Sequence, residues 1–329
     1  MDKAYIISHN DLDGVGSALI LEHAISTYSN SLQVEEVNLV GNHDVRTKIN
    51  DVLRKCIADE ATPAVIYVTD LSPAEDYAPF IDEVLKKYPH ITFILLDHHK
   101  HALPLNKYSW ATVVVENDEL KHSGTSLVID HLFDLGVTLD HVVYEFAELV
   151  RLYDTWDWKA QNKLEPKRLN DLLYLIGISN FMNAVRDELK TSLDFTILEQ
   201  YKFVLDLEDE RVKRYIERKA KHLKIHPITY LVDEQVTLFN VGVVAVEQYH
   251  SELGNALAEL NPSLDLIAMV DVDSKKVSLR TINDDVPLDK IAHALGGGGH
   301  QKAGGFPLGD RVWEYLTYVV EGTKHGVSV

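Results

Sequence analysis

Residues 91–101 read ITFILLDHHKH. Six apolar or β-branched residues, Ile91 to Leu96, run without a break into an aspartate and two histidines. A short, continuously apolar run of this kind is how a strand buried on both faces of a parallel sheet appears. Three side chains suited to metal or proton chemistry at its carboxyl end fall where open α/β sheets carry their functional residues. The neighbouring segments repeat the pattern. YIIS (5–8), VEEVNLV (34–40), AVIYVTD (64–70) and WATVVVEN (110–117) read as further strands. Helices are expected over Val15–Tyr28, over 44–57 and in PAEDYAPFIDEVLKKYP. This alternation predicts an α/β, doubly wound, mainly parallel sheet.

From about residue 120 to 225 the chain reads as helical, with a charged amphipathic stretch over Thr196–Leu223. Strands return in VTLFNVGVVAV (236–246), LDLIAMVDVD (264–273) and KVSLRTI (276–282), the last two joined at Ser274–Lys275 as a hairpin. The expected organisation is a catalytic domain over 1–190, a helical connector over 191–226 and a smaller α+β domain over 227–329.

The net charge of −19, from 51 acidic and 32 basic residues, argues against gripping long nucleic acid by phosphate neutralisation. No run of about 18 apolar residues and no signal-peptide pattern is present, so a cytoplasmic protein away from membranes is expected. The single cysteine, Cys56, suits a reducing compartment and reads as a packed thiol rather than a nucleophile.

Four strand or helix ends carry acids and histidines: SHNDLDG (His9, Asp11, Asp13), VTDLS (Asp70), LLDHHK (Asp97, His98, His99) and RLYDTWDW (Asp154, Asp157). Each has an ordinary structural use. Asp11 or Asp13 would cap a helix, Asp70 would close a turn with Ser72 and Pro73, and a loop histidine such as His101 is usually solvated. Parallel strands, however, bring these ends to one edge. Carboxylates crowded there would raise one another's pKa values unless cations intervene. Mixed carboxylate and imidazole donors suit manganese or a similar ion, and their number suits a pair of ions sharing a carboxylate.

HNDLDG, TDLS, LLDHHK and RLYDTW in this order resemble the four motifs of the DHH phosphoesterase family, and GGGGHQKAGGF (296–306) resembles the signature of the DHHA1 domain. The resemblance implies two Mn²⁺ ions, with Mg²⁺ or Co²⁺ as substitutes. It places His9 and Asp11 on one ion, Asp13, His98 and Asp154 on the other, and Asp70 between them. Asp97 would orient an imidazole, and His99 would face the scissile phosphate; His99, Asp70 and Asp97 are thus the expected catalytic residues. Asp157 matches no motif position.

At the far end, the glycines read as a backbone nest for a phosphate. Substrate contacts are expected from Gly298, Gly299, His300, Gly304, Gly305 and Arg280. Within the family, SHNDLDGVGSALI resembles bacterial oligoribonucleases of the nanoRNase type, B branch. That implies hydrolysis of short single-stranded RNA and linear dinucleotides such as pApA or pGpG to mononucleotides, by a hydroxide bridging two Mn²⁺ ions. Long duplexes are not expected as substrates, and a homodimer is compatible. Alternatives are a single-strand DNA exonuclease, a pAp or cyclic-dinucleotide phosphodiesterase, and a nucleotide-binding regulator without turnover.

Overall fold

Five apolar runs of the first half pair as one all-parallel sheet: β1 (Asp2–His9), β2 (Leu32–Val40), β3 (Ala64–Thr69), β4 (Ile91–Asp97) and β5 (Ala111–Val113). The computed structural model describes residues 1–309 apart from 119, 233 and 234, with backbone alone at 231, 232 and 235. Residues 310–329, the end of the expected C-terminal domain, lie outside that range. The strand order is β2-β1-β3-β4-β5. The chain leaves β1 for one side of the sheet and returns on the other, so the topological switch point lies between β1 and β3. Apolar side chains point from both faces of the central strands. Ile6, Ile66 and Leu95 are fully buried, each contributing about 1.5–3 kcal/mol over exposure.

On one face the sheet is covered by α1 (Leu12–Tyr28), α4 (Gly124–Asp134), α5 (His141–Asp154), α7 (Glu165–Ile176) and α8 (Ile178–Thr191). On the other lie α2 (Val45–Ala58) and α3 (Ala78–Lys87). α1 sits inside the first layer, which explains why GVGSALIL is apolar all round rather than striped. Short α6 (Asp157–Ala160) follows α5 directly.

Met1–Leu205 and Asp206–Val329 form two compact units. The second holds a six-stranded mixed sheet, order β10-β11-β9-β8-β7-β6, built from β6 (Lys224–Val232), β7 (Gln235–Ala245), β8 (Leu266–Asp271), β9 (Lys276–Arg280), β10 (Gly298–His300) and β11 (Ala303–Pro307). Among the described residues its helices are most of α10 (Lys202–Ala220), α11 (His250–Leu260) and α12 (Leu288–Ala294).

Several expectations are corrected. The strand expected over 110–117 ends at Val113, because the chain then turns to deliver the cap of α4. α1 starts at Leu12, three residues early, with Asp11 as its N-cap. The stretch 196–223 is not one helix: α9 (Ile197–Gln200) and α10 (Lys202–Ala220) are separated at Tyr201. β6 contains Pro227, whose missing N–H is tolerated on an edge strand. Within the run GGGGHQKAGG, Gly298–His300 and Ala303–Gly305 pair as the β10–β11 hairpin, which was not expected. Glycine is needed there because a Cβ on Gly299, where φ is +147°, would collide with the carbonyl oxygen of Ala303.

Candidate active site

The cluster grows from the ends of β1, β3 and β4. At β1, Ser8 Oγ lies 2.7 Å from Gly14 O and 2.7 Å from Thr69 Oγ1, tying the β1 end to both α1 and β3. His9 and Asp11 follow. Asp11 caps α1 by accepting from Gly14 N at 3.1 Å through one oxygen, and its other oxygen lies 2.6 Å from His9 Nδ1. Burial works to raise the Asp11 carboxyl, but the His9 ring outweighs it and holds it below the usual range. The same contact holds His9 above its ordinary value.

Asp13, in the first turn of α1, is 2% exposed. Its carboxylate sits on the N-terminus of α4, accepting from Gly124 N at 2.5 Å and Thr125 N at 2.9 Å. An anion at a helix N-terminus satisfies N–H groups that have no partner within the helix. Gly124 also makes room: a Cβ there would lie 2.6 Å from Asp70 Cβ and 3.0 Å from Asp13 Oδ2. Nothing in the sequence reading singled out Gly124 and Thr125. The signal was the serine-glycine pair opening an apolar helix, with Ser123 as its cap.

Asp70 follows β3 with φ at 57°, a left-handed conformation that aspartate adopts more readily than most residues. It is 2% exposed, and its Oδ2 has no hydrogen-bond partner among the described residues. Burial, then the Asp13, Asp11, Asp154 and Asp97 carboxylates, push its carboxyl far up. Asp154, at the end of α5, is pushed up to about 8 by burial and by Asp13 and Asp11.

β4 supplies the remainder. Asp97 is fully buried and accepts from His98 N at 2.8 Å, from His99 Nδ1 at 2.7 Å and from the Ser72 hydroxyl. Burial acts to raise it, yet the His99 ring and Ser72 prevail and hold it low. The partnered His99 is raised above its ordinary value by that Asp97 bond. His98 turns the other way. Its Nε2 lies 3.3 Å from Asp70, 3.4 Å from Asp154 and 3.7 Å from Asp13. Burial lowers its pKa, favouring the neutral ring that a metal requires.

The donors fall into two sets. His9, Asp11 and Asp70 offer ligand atoms within 4.8 Å of one another, as do Asp13, His98 and Asp154. Asp70 also stands within 3.3 Å of His98 in the second set. Buried carboxylates in mutual conflict, an Asp70 oxygen without a partner among the described residues, and an imidazole whose neutral form burial favours fit divalent cations.

Asp157 stays outside the cluster, paired with Arg151 at 3.0 Å. His101 only packs near the His99 ring, at 5.5 Å. Cys56 is buried at the base of α2, far up at about 11 through burial, as a packed thiol should be. In the second unit, Arg280 pairs in register with Ala303, and Ala303 with His300. Residues in one row of an antiparallel sheet share a face, so Arg280 and His300 stand on the same side. His300, Gly298 and Gly299 are exposed, while Arg280 donates to Ser251 Oγ at 3.1 Å. Gly304 and Gly305 lie inside β11, against β9.

No family model matches the chain. Oligoribonuclease NrnB of Bacillus subtilis (strain 168) is 37% identical over 314 residues, spanning 94% of this chain and 74% of the relative. Among solved structures, exonuclease RecJ bound to manganese has a TM-score of 0.55 at 13% identity, over 99% of this chain and 91% of that one. The DHH domain of a member of a ribosomal-protein family has a TM-score of 0.56 at 14% identity, over 98% and 87%. A pGpG-specific phosphodiesterase, PggH from Vibrio cholerae, has a TM-score of 0.52 at 13% identity, over 98% of each chain. These three likenesses show a shared fold. With a relative at 37% identity along almost its whole length, the chain belongs to the DHH phosphoesterase family, in the branch of oligoribonuclease NrnB.

Proposed function

We propose that this protein is a metal-dependent phosphodiesterase that hydrolyses short oligoribonucleotides and linear dinucleotides to mononucleotides. The observation that carries this reading is the pair of ligand sets, His9/Asp11/Asp70 and Asp13/His98/Asp154, meeting at buried Asp70. Each set would hold one Mn²⁺, with Mg²⁺ or Co²⁺ as substitutes, and Asp70 would serve both. When bound, such ions neutralise charge on nonbridging phosphoryl oxygens and lower the pKa of water.

The protein's own groups do the rest. Asp97 fixes the His99 ring through Nδ1 and leaves Nε2 as the free donor. The Asp97 contact raises His99 and so favours the protonated ring, which would donate to a phosphoryl or departing oxygen. Gly124 and Thr125 hold Asp13 in place, so the second set needs little reorganisation. Arg280 and His300, on one face of the second sheet, would bind substrate phosphate or base, with the glycines of β10 and β11 allowing close approach.

The net charge of −19 supports short substrates, because a long polymer would need a basic track. The test is turnover of RNA and DNA ladders of graded length with Mn²⁺ and then with EDTA. Rapid metal-dependent loss of the shortest RNAs, with long ones spared, is expected. Faster attack on long DNA would overturn the substrate assignment, and no turnover of any phosphoester would overturn the enzyme.

A further inference from the structure

Two residues beyond Asp154 the backbone does something unusual. Trp156 adopts φ 63° and ψ 9°, a left-handed conformation that a bulky residue seldom takes and that costs free energy. The loop is held there by several bonds. Thr155 Oγ1 donates to Arg151 O at 2.9 Å, and Trp156 N donates to Tyr153 O at 3.2 Å. Buried Arg151 clamps the two helix ends, donating to Glu148 and to Asp157 at 3.0 Å. So rigid a mount presents an indole that is 50% exposed, whereas Trp110 and Trp158 are each 8% exposed. Trp158 stacks beside the ring at 6.1 Å, and Lys159 Nζ lies 5.1 Å from its centroid. Phe133 and Phe203 are more exposed still, but neither adjoins a candidate ligand in the chain.

We propose that Trp156 is a base-stacking platform for the nucleotide next to the scissile phosphate. Its Cα lies at most about 7.6 Å from that of Asp154, across two peptide links. Across those two links the Trp156 backbone adjoins a member of the second ligand set. Single-stranded RNA is bound through such stacking, which tolerates any base because every base has a π-face. In a protein with a net charge of −19, stacking supplies affinity that phosphate contacts do not. The expected specificity is for short RNA of any sequence, with purines ahead of pyrimidines at this position. The inference rests on the phosphodiesterase reading above.

The test is a double-mutant cycle between ring and base. Wild type, Trp156→Phe and Trp156→Leu are compared on pApA and on analogues lacking the base at one position or the other, with Mn²⁺. Trp156→Leu should lose about 5- to 150-fold in kcat/KM on pApA, chiefly through KM. Trp156→Phe should keep most of the activity. Removing the stacked base should cost wild type a similar factor and cost Trp156→Leu little more. If Phe and Leu behave alike, or if Leu loses the same factor whether or not the base is present, the stacking role is wrong. Wild type that never cleaves pApA would overturn the phosphodiesterase reading, and this inference with it.

Discussion

At the carboxyl edge of the parallel sheet Asp13, Asp70 and Asp97 are each 2% exposed or less, whereas every residue of β10 is exposed. The first region is fixed by the fold. Strand ends, a helix N-terminus and the Ser72 hydroxyl hold its carboxylates together against their mutual repulsion. The glycine hairpin is the reverse. Its backbone is fixed by pairing, but its outer surface has room and little internal conflict. The contrast separates a site whose geometry is stored in the core from a surface that becomes specific only with substrate on it. Substitutions should therefore act through the fold and metal affinity in the first region, and through KM in the second.

The largest effect is expected at Asp70. Asp70→Asn should lower turnover roughly 10³-fold or more, since it removes a carboxylate serving both ligand sets and with it several kcal/mol of charge stabilisation. The same change should raise thermal stability in EDTA. A buried carboxyl whose folded pKa is raised destabilises the fold at any pH above its unfolded value, and the amide removes that charge. A variant with wild-type turnover, or one less stable in EDTA, would break the comparison. His99→Ala should come next, with kcat down about 10²–10⁴-fold and Mn²⁺ stoichiometry unchanged. Loss of metal instead would make His99 a ligand.

One substitution can be made in both regions. Gly124→Ala drives a Cβ against Asp70 and Asp13 and should cost about 1–3 kcal/mol by denaturant unfolding. Gly298→Ala meets nothing within 4 Å and should leave stability within about 0.5 kcal/mol. Equal costs would erase the distinction. His300→Ala should raise KM about 5- to 30-fold, the scale of a lost polar contact of roughly 1–2 kcal/mol, with manganese retained. The smallest effect concerns Cys56, outside both regions. Its thiol rises from 9.0 to about 11 on folding through burial. The neutral form is thus favoured in the fold, and its contribution is complete below pH 9 and lost as pH climbs toward 11. Iodoacetamide at about pH 8, below the thiol's ordinary range, should label it slowly until denaturant is added; fast native labelling would show an open thiol.

The parallel sheet was legible because ITFILLD and AVIYVTD bury both faces and leave no room for a helical period. The gathering of His9, Asp70 and His98 was legible because parallel strands bring them to one edge, so position in sequence becomes proximity in space; their division into two sets came from the resemblance to the DHH motifs. Other features carried no local signal. The left-handed turn at Asp70 is imposed by the loop between β3 and the buried cluster. Gly124 and Thr125 matter only because α4 begins against Asp13, more than a hundred residues away in the chain. Pro227 hid β6 because proline suits a strand only at an edge, and edges are a property of the assembled sheet. The strand pairing of the glycine run was missed because its partners, β9 and α12, are tertiary neighbours.

The most direct test is equilibrium dialysis of Mn²⁺ against wild type and Asp70→Asn. The account predicts two ions per wild-type chain, and at most one, weakly held, in the variant. Wild type that binds no manganese, or a variant that binds the same two ions equally tightly, would contradict it.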